Sequence, residues 1–139
     1  MIYEKEVVLN TTPEKIKLLL LDYDKYHLWQ STFKGINSVK GIPGETGFVG
    51  IINYNYHDDL VQSKVTIDRN DLPVYLVELY ETNEIYNRCV HHFIQQDEGI
   101  LWQQTVFVDL ARHSKIQKER FEASTLLNMN AFKQFIESV

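Results

Sequence analysis

Three features of this sequence carry residue types that chemistry uses. They are the glycine-rich stretch KGIPGETGFVG at 40–50, the step Cys89-Val90-His91 with His92 beside it, and tyrosines and tryptophans set among apolar residues. A Walker-type phosphate cradle needs G-x-x-x-x-G-K-[ST] leading into a helix, and a dinucleotide fingerprint needs G-x-G-x-x-G between strand and helix. Here Gly41, Gly44 and Gly47 recur as G-x-x-G-x-x-G, no Lys-Ser/Thr pair follows, and FVGIINYNYH after them reads as a strand. The nucleotide reading therefore falls away. Pro43 and Gly44 suit a tight turn, and Gly47 tolerates positive φ. Gly50, inside the next strand, marks a bulge or a close approach of ligand or helix.

The histidines do not make a metal site. His91 and His92 are adjacent and would face opposite sides of a strand, His57 and Asp58 diverge in the same way, and no H-x-H, H-x-x-x-H or C-x-x-C spacing occurs. Cys89 and His91 share a face, which makes a nucleophile–base pair conceivable, although such neighbours are ordinarily packing partners. His91 by itself reads either as a hydrogen-bonded core histidine or as a ligand contact or general base, and it is the one weak candidate for catalysis. Gln104 poses the same question, since a buried amide needs partners that a ligand can supply. Most Asp and Glu residues fall at turns or on the expected outer face, with no paired buried carboxylates, and this weighs against an enzyme.

Composition sets the frame. A chain of 139 residues, 44% hydrophobic and 24% charged, reads as one soluble domain spanning 1–139. The net charge of −5 opposes a nucleic-acid role. The cluster Arg112, Lys115, Lys118 and Arg120 reads as a solvated helix start or a patch for phosphate or lipid headgroups. A lone Cys89 cannot form an internal disulfide, no secretory signal opens the sequence, and no apolar run nears a membrane span, so a cytoplasmic location is expected. No cofactor is implied, and the oligomeric state, monomer or homodimer, stays open.

The elements that must position these residues follow from pattern. IYEKEVVL suits an opening strand with Tyr3, Val7 and Leu9 on one face. Thr11 or Thr12 can cap a helix that carries Pro13 and Glu14 in its first turn and Ile16, Leu19 and Leu20 on its apolar side. A second short helix is predicted from near Asp22 to around Trp29. Six strands follow, with turns at 57–59, 69–73, 82–84 and 95–99, so the sheet should be antiparallel. Alternation points Phe48, Ile52, Tyr54 and Tyr56 inward, then Val61, Val65 and Ile67, then Tyr75, Val77 and Leu79. Cys89, His91 and Phe93 follow, and after them Ile100, Trp102, Gln104, Val106 and Val108. Lys64, Glu78, Arg88 and Gln103 should point to water. A terminal helix over roughly 114–138 opens on a capping box, Ser114 with Gln117, and carries the stripe Phe121, Met129, Phe132 and Ile136 with Leu126 and Phe135 beside it.

This order resembles the START/Bet v1-like (SRPBCC) superfamily of polyketide cyclases, lipid-transfer domains and Aha1-type domains. The likeness rests on VVLNTTPEKIKLLLLDYDKYHLWQ, on GIPGETGFVG and on the terminal amphipathic helix, and it runs the length of the chain. It implies an α+β helix-grip fold, in which a curved seven-stranded antiparallel sheet wraps a long C-terminal helix and two short helices follow strand 1. It implies a cavity for a small hydrophobic or amphipathic ligand such as a lipid, polyketide or aromatic. The expected lining is Trp29, Phe48, Ile52, Tyr54 and Tyr75 from the helices and sheet. It continues with Cys89, His91, Trp102 and Gln104 and is closed by Met129, Phe132 and Ile136. The glycine loop, through Gly44 and Gly47, would gate the rim. Two other readings remain: a cyclase/dehydratase-type enzyme moving a proton with a cavity His or Tyr, and an Aha1-like surface for a protein partner.

Overall fold

The computed structural model describes residues 1–109 and 115–139. Strands β1 (Ile2–Leu9), β2 (Phe33–Lys40), β3 (Val49–Tyr56), β4 (Asp59–Asp71), β5 (Tyr75–Thr82), β6 (Ile85–Gln96) and β7 (Gly99–Asp109) form one antiparallel sheet in the order β1-β7-β6-β5-β4-β3-β2. Between β1 and β2 lie helix α1 (Pro13–Leu19) and a 3₁₀ helix (Tyr23–Leu28), and α2 (Lys115–Ser138) ends the chain. Arg112, Ser114 and the side chain of Lys115 lie outside the described residues. Lys118 and Arg120 are exposed.

The helices begin where their capping residues dictate. Thr12 accepts a hydrogen bond from the Lys15 amide with Pro13 in the first turn, and Asp22 caps the 3₁₀ helix through the Asp24 amide. Ile16, Leu19 and Leu20 are buried. In α2, Met129, Phe132 and Ile136 join a core cluster with Ile52, Val65, Ile67, Leu76 and Phe93 from the concave face of the sheet. A smaller cluster, Tyr3, Cys89, Val106 and Val108 with Phe121 packed against it, lies nearer the start of the helix. The far end of α2 is tied to β1 and to Asn10 just beyond it. The Lys133 ammonium donates to the Val8 carbonyl (2.6 Å), and the Asn10 amide donates to the Glu137 carboxylate (2.9 Å).

Two expectations are corrected. The turn placed at 69–73 begins later, because β4 runs to Asp71 and absorbs a bulge between Ile67 and Arg69. Strand β5 also has the opposite phase. Leu76 pairs with His91 and Glu78 with Cys89 on the concave side, whereas Tyr75 pairs with His92 and Val77 with Val90 on the other. Glu78, expected in water, is buried. Tyr75, expected inside, packs at a tilt against His92 (5.0 Å) beneath the Arg69 guanidinium (5.5 Å). Both phases of VYLVELYE offer apolar residues, so a single position of slip reverses the strand.

The glycine stretch is a turn fastened to β4. The Asn70 side chain donates to the Gly44 carbonyl (2.6 Å), the Asn70 amide to the Thr46 hydroxyl (2.9 Å), and the Gly47 amide to the Ile67 carbonyl (2.8 Å). Beside it Gly50 faces a β2 irregularity between Ser38 and Lys40, where the Phe48 ring fills the space a Cβ would need. Gly41 (φ +81°) and Gly47 (φ +90°) both adopt left-handed backbone, but only at Gly41 would a Cβ meet backbone, 3.0 Å from Phe48 Cα and 3.1 Å from the Gly47 carbonyl. Gly47→Ala should therefore lose only the positive-φ penalty of about 1–2 kcal/mol. Gly41→Ala should lose clearly more by urea unfolding, and equal losses would contradict the close approach.

Candidate functional site

A cavity of about 260 Å³ lies between the concave face and the first half of α2. Its position follows from the helix sequence. From Met129 onward the inward stripe is bulky, but between Phe121 and Met129 come Ser124, Thr125 and Asn128, whose short polar side chains line the cavity without filling it. The Tyr3 hydroxyl bonds to the Thr125 hydroxyl (2.9 Å) and the Phe121 carbonyl (3.2 Å), which fixes the helix at that separation. On the sheet side Ser63 bonds to Thr82 (2.6 Å), so two small hydroxyl residues meet each other and leave room.

The polar centre is built on three neighbouring strands. Glu78 of β5, His91 of β6 and Trp102 of β7 are 5%, 4% and 3% exposed. The Trp102 indole N–H, which can only donate, lies 3.0 Å from His91 Nδ1. Nδ1 is therefore the bare nitrogen, and the proton sits on Nε2, which donates to Glu78 Oε1 at 2.8 Å. The Tyr80 hydroxyl donates to Glu78 Oε2 at 2.7 Å. Both carboxylate oxygens thus act as acceptors, and both donors are neutral. Phe93 stacks on Trp102 at 5.6 Å and Phe132 of α2 meets it edge-on, so the indole holds the histidine in place.

Burial governs the acidity of the other groups. Desolvation first, and the Glu78 charge second, push the Tyr80 hydroxyl well above its ordinary 10.0. Burial likewise raises Tyr26 and Tyr54, with neighbouring tyrosines and Glu78 adding to the effect. Burial and then Glu78 push the Cys89 thiol up to about 12, against a smaller opposing contribution from a Gln104 hydrogen bond. These hydroxyls and the thiol keep their protons at neutral pH. Cys89 and His91 share the wall, yet both His91 nitrogens bond elsewhere, so they do not form a nucleophile–base pair. Among the described residues no cluster of three His, Cys, Asp or Glu side chains could hold a metal ion, and no helix is long and apolar enough to cross a membrane.

No family model matches the sequence, and no curated protein matches it. Solved structures do. Ara h 8.0201 superposes with a TM-score of 0.84 at 14% identity, covering 100% of this chain and 99% of the other. The chain has the START/Bet v1-like helix-grip fold. A START superfamily protein from Mycobacterium smegmatis is similar at TM-score 0.79 and 11% identity, covering 99% of this chain and 97% of that one. The ginseng major latex-like protein 151 from Panax ginseng is similar at TM-score 0.73 and 14% identity, over 98% and 97%.

Within this helix-grip frame the expected residues divide. Trp29, Tyr54, Cys89, His91, Trp102, Gln104 and Met129 border the cavity. Phe48, Ile52, Phe132 and Ile136 lie in the solid core instead, because bulky partners close around them. Tyr75 is on the outer face. Trp29 has two roles: its ring meets Phe132 (5.1 Å) and Tyr26 (4.9 Å), sealing the small helices, while its indole N–H is buried without a partner. None of the described residues lining the cavity comes from the loop that holds Gly44 and Gly47, whose hydrogen bonds to β4 hold it elsewhere. Sequence reasoning missed Glu78 and Tyr80. It also did not single out Ser63, Ser124, Thr125 or Asn128, which line the cavity; the Val61–Val65 alternation and the Phe121–Met129 stripe were the signals that could have found them.

Removing His91 alone strands a buried carboxylate. His91→Leu should cost about 3 kcal/mol, and adding Glu78→Leu should recover part of that loss, because the charge goes with its donor. A double variant no more stable than His91→Leu in urea would contradict the pairing. The weakened acidity of Cys89 and the buried tyrosines also fixes a sign. The unfolded chain gives up these protons from about pH 9 upward, whereas the folded chain retains them. Stability is therefore full below that range and is lost as pH rises toward the folded values, so the urea midpoint should hold from pH 7 to about 8.5 and fall by about pH 10.5.

Proposed function

We propose that this protein binds one small hydrophobic or amphipathic molecule in the cavity between the sheet and α2. The observation that carries this reading is the cavity itself. It is a concavity of about 260 Å³ whose wall combines aromatic rings with a few placed polar groups, which is the composition of small-molecule sites. At ~30 Å³ per water it holds the volume of roughly nine waters, which suits one or two rings or a short chain. The helix-grip fold agrees with this reading, and the chemistry of the wall gives it content. Binding is favoured over proton transfer, because His91 is committed at both nitrogens and the cavity tyrosines keep their protons.

Two measurements test it. Native mass spectrometry of protein purified from its source should show a retained small mass, and titration with neutral 1-naphthylmethanol should change Trp102 fluorescence with saturation. Val106→Phe, which places a ring into the cavity, should weaken that binding by about tenfold or more while the fold persists by circular dichroism. Undiminished binding in Val106→Phe would place the site elsewhere.

A further inference from the structure

We infer that the ligand carries a protonated amine, and that Glu78 is the group that selects it; the inference rests on the cavity being the binding site. Among the described residues that line the cavity, Glu78 is the only carboxylate, and there is no Lys or Arg. Its oxygens accept from His91 Nε2–H and from the Tyr80 hydroxyl, and neither donor carries charge, since His91 Nδ1 is occupied by the Trp102 N–H. A glutamine at this position could keep both strands tied, accepting from one partner and donating to the other, with no charge to desolvate. The acid therefore does more than structure requires. Two oxygens offer about four lone-pair positions, of which the protein uses two.

A second acceptor lies close by. Asn87 pairs with Tyr80 across the β5–β6 ladder, and its side-chain oxygen is buried without a hydrogen-bond partner. Two acceptors short of donors, against one unpartnered donor in the Trp29 indole N–H, call for a ligand richer in donors than in acceptors. The rings supply the rest: Tyr26, Trp29 and Tyr54 border the same space, and aromatic faces attract organic cations most strongly where water is excluded. A carboxylate-bearing ligand would meet Glu78 as a like charge. A neutral alcohol could donate one hydrogen bond but would leave the charge uncompensated. An aryl-alkyl ammonium of one or two rings satisfies the acid, the acceptor and the aromatic wall together.

The test compares three probes of nearly one shape by calorimetry at neutral pH: 1-naphthylmethylammonium, 1-naphthylmethanol and 1-naphthoate. The ammonium should bind on the order of tenfold tighter than the alcohol, and the carboxylate weakest. In Glu78→Gln the ammonium-to-alcohol ratio should fall to about one, whereas Tyr80→Phe, which keeps the carboxylate, should retain the preference. An ammonium no tighter than the alcohol on the unmodified protein overturns the inference and leaves cavity binding standing. If none of the three binds, both fall. A preference that survives in Glu78→Gln removes Glu78 as the selecting group. The comparison on the unmodified protein decides the chemistry even if a variant fails to fold.

Discussion

A carboxylate on the concave face of a sheet must find donors or lose its charge, and much of this interior is arranged around that requirement. Glu78 takes one donor from its own strand, Tyr80, and one from the next strand, His91. His91 can donate only because Trp102, one strand further on, occupies its other nitrogen. Trp102 in turn is held between Phe93 and the edge of Phe132 on α2. One charge thereby links β5, β6, β7 and the long helix through contacts that each leave the next with a single geometry. A network of this kind is rigid when fully satisfied and destabilising when one member is removed.

The cavity has a separate cause. A long helix laid in a concave sheet buries a solid core where its inward residues are bulky, and leaves space where they are short. Met129, Phe132 and Ile136 do the first, and Ser124, Thr125 and Asn128 do the second. The change of character along one helical stripe places the open volume over Glu78, His91 and Gln104, between the two apolar clusters. The acid and the opening thus coincide, and the polar network faces the space in which a ligand would sit.

Much of this architecture was legible in the residues. Capping threonine and proline, hairpin turns and the terminal amphipathic stripe each act locally, so the seven strands, the two short helices and the long helix follow from the sequence. The site was legible only in part. His91, Trp102, Gln104 and Cys89 emerged because the alternation chosen for β6 and β7 is the one the sheet adopts. Glu78 did not, because VYLVELYE has two plausible faces and a lone glutamate is normally solvated; the inward phase becomes tenable only with the donor from the next strand, His91, beside Tyr80. The glycine loop showed a similar limit. Its turn chemistry was readable, but the Asn70 contacts that hold it to β4 come from a residue more than twenty positions away.

The most direct measurement is the tautomer and protection of His91 by long-range ¹H–¹⁵N NMR, followed during titration with 1-naphthylmethanol. The account predicts a bare Nδ1, a protonated Nε2 and a slowly exchanging Trp102 indole N–H. It also predicts that the resonances of both residues move with the ligand while His92 and Tyr75 on the outer face stay still. A doubly protonated or solvent-exchanging His91, or shifts confined to the outer face, would contradict it.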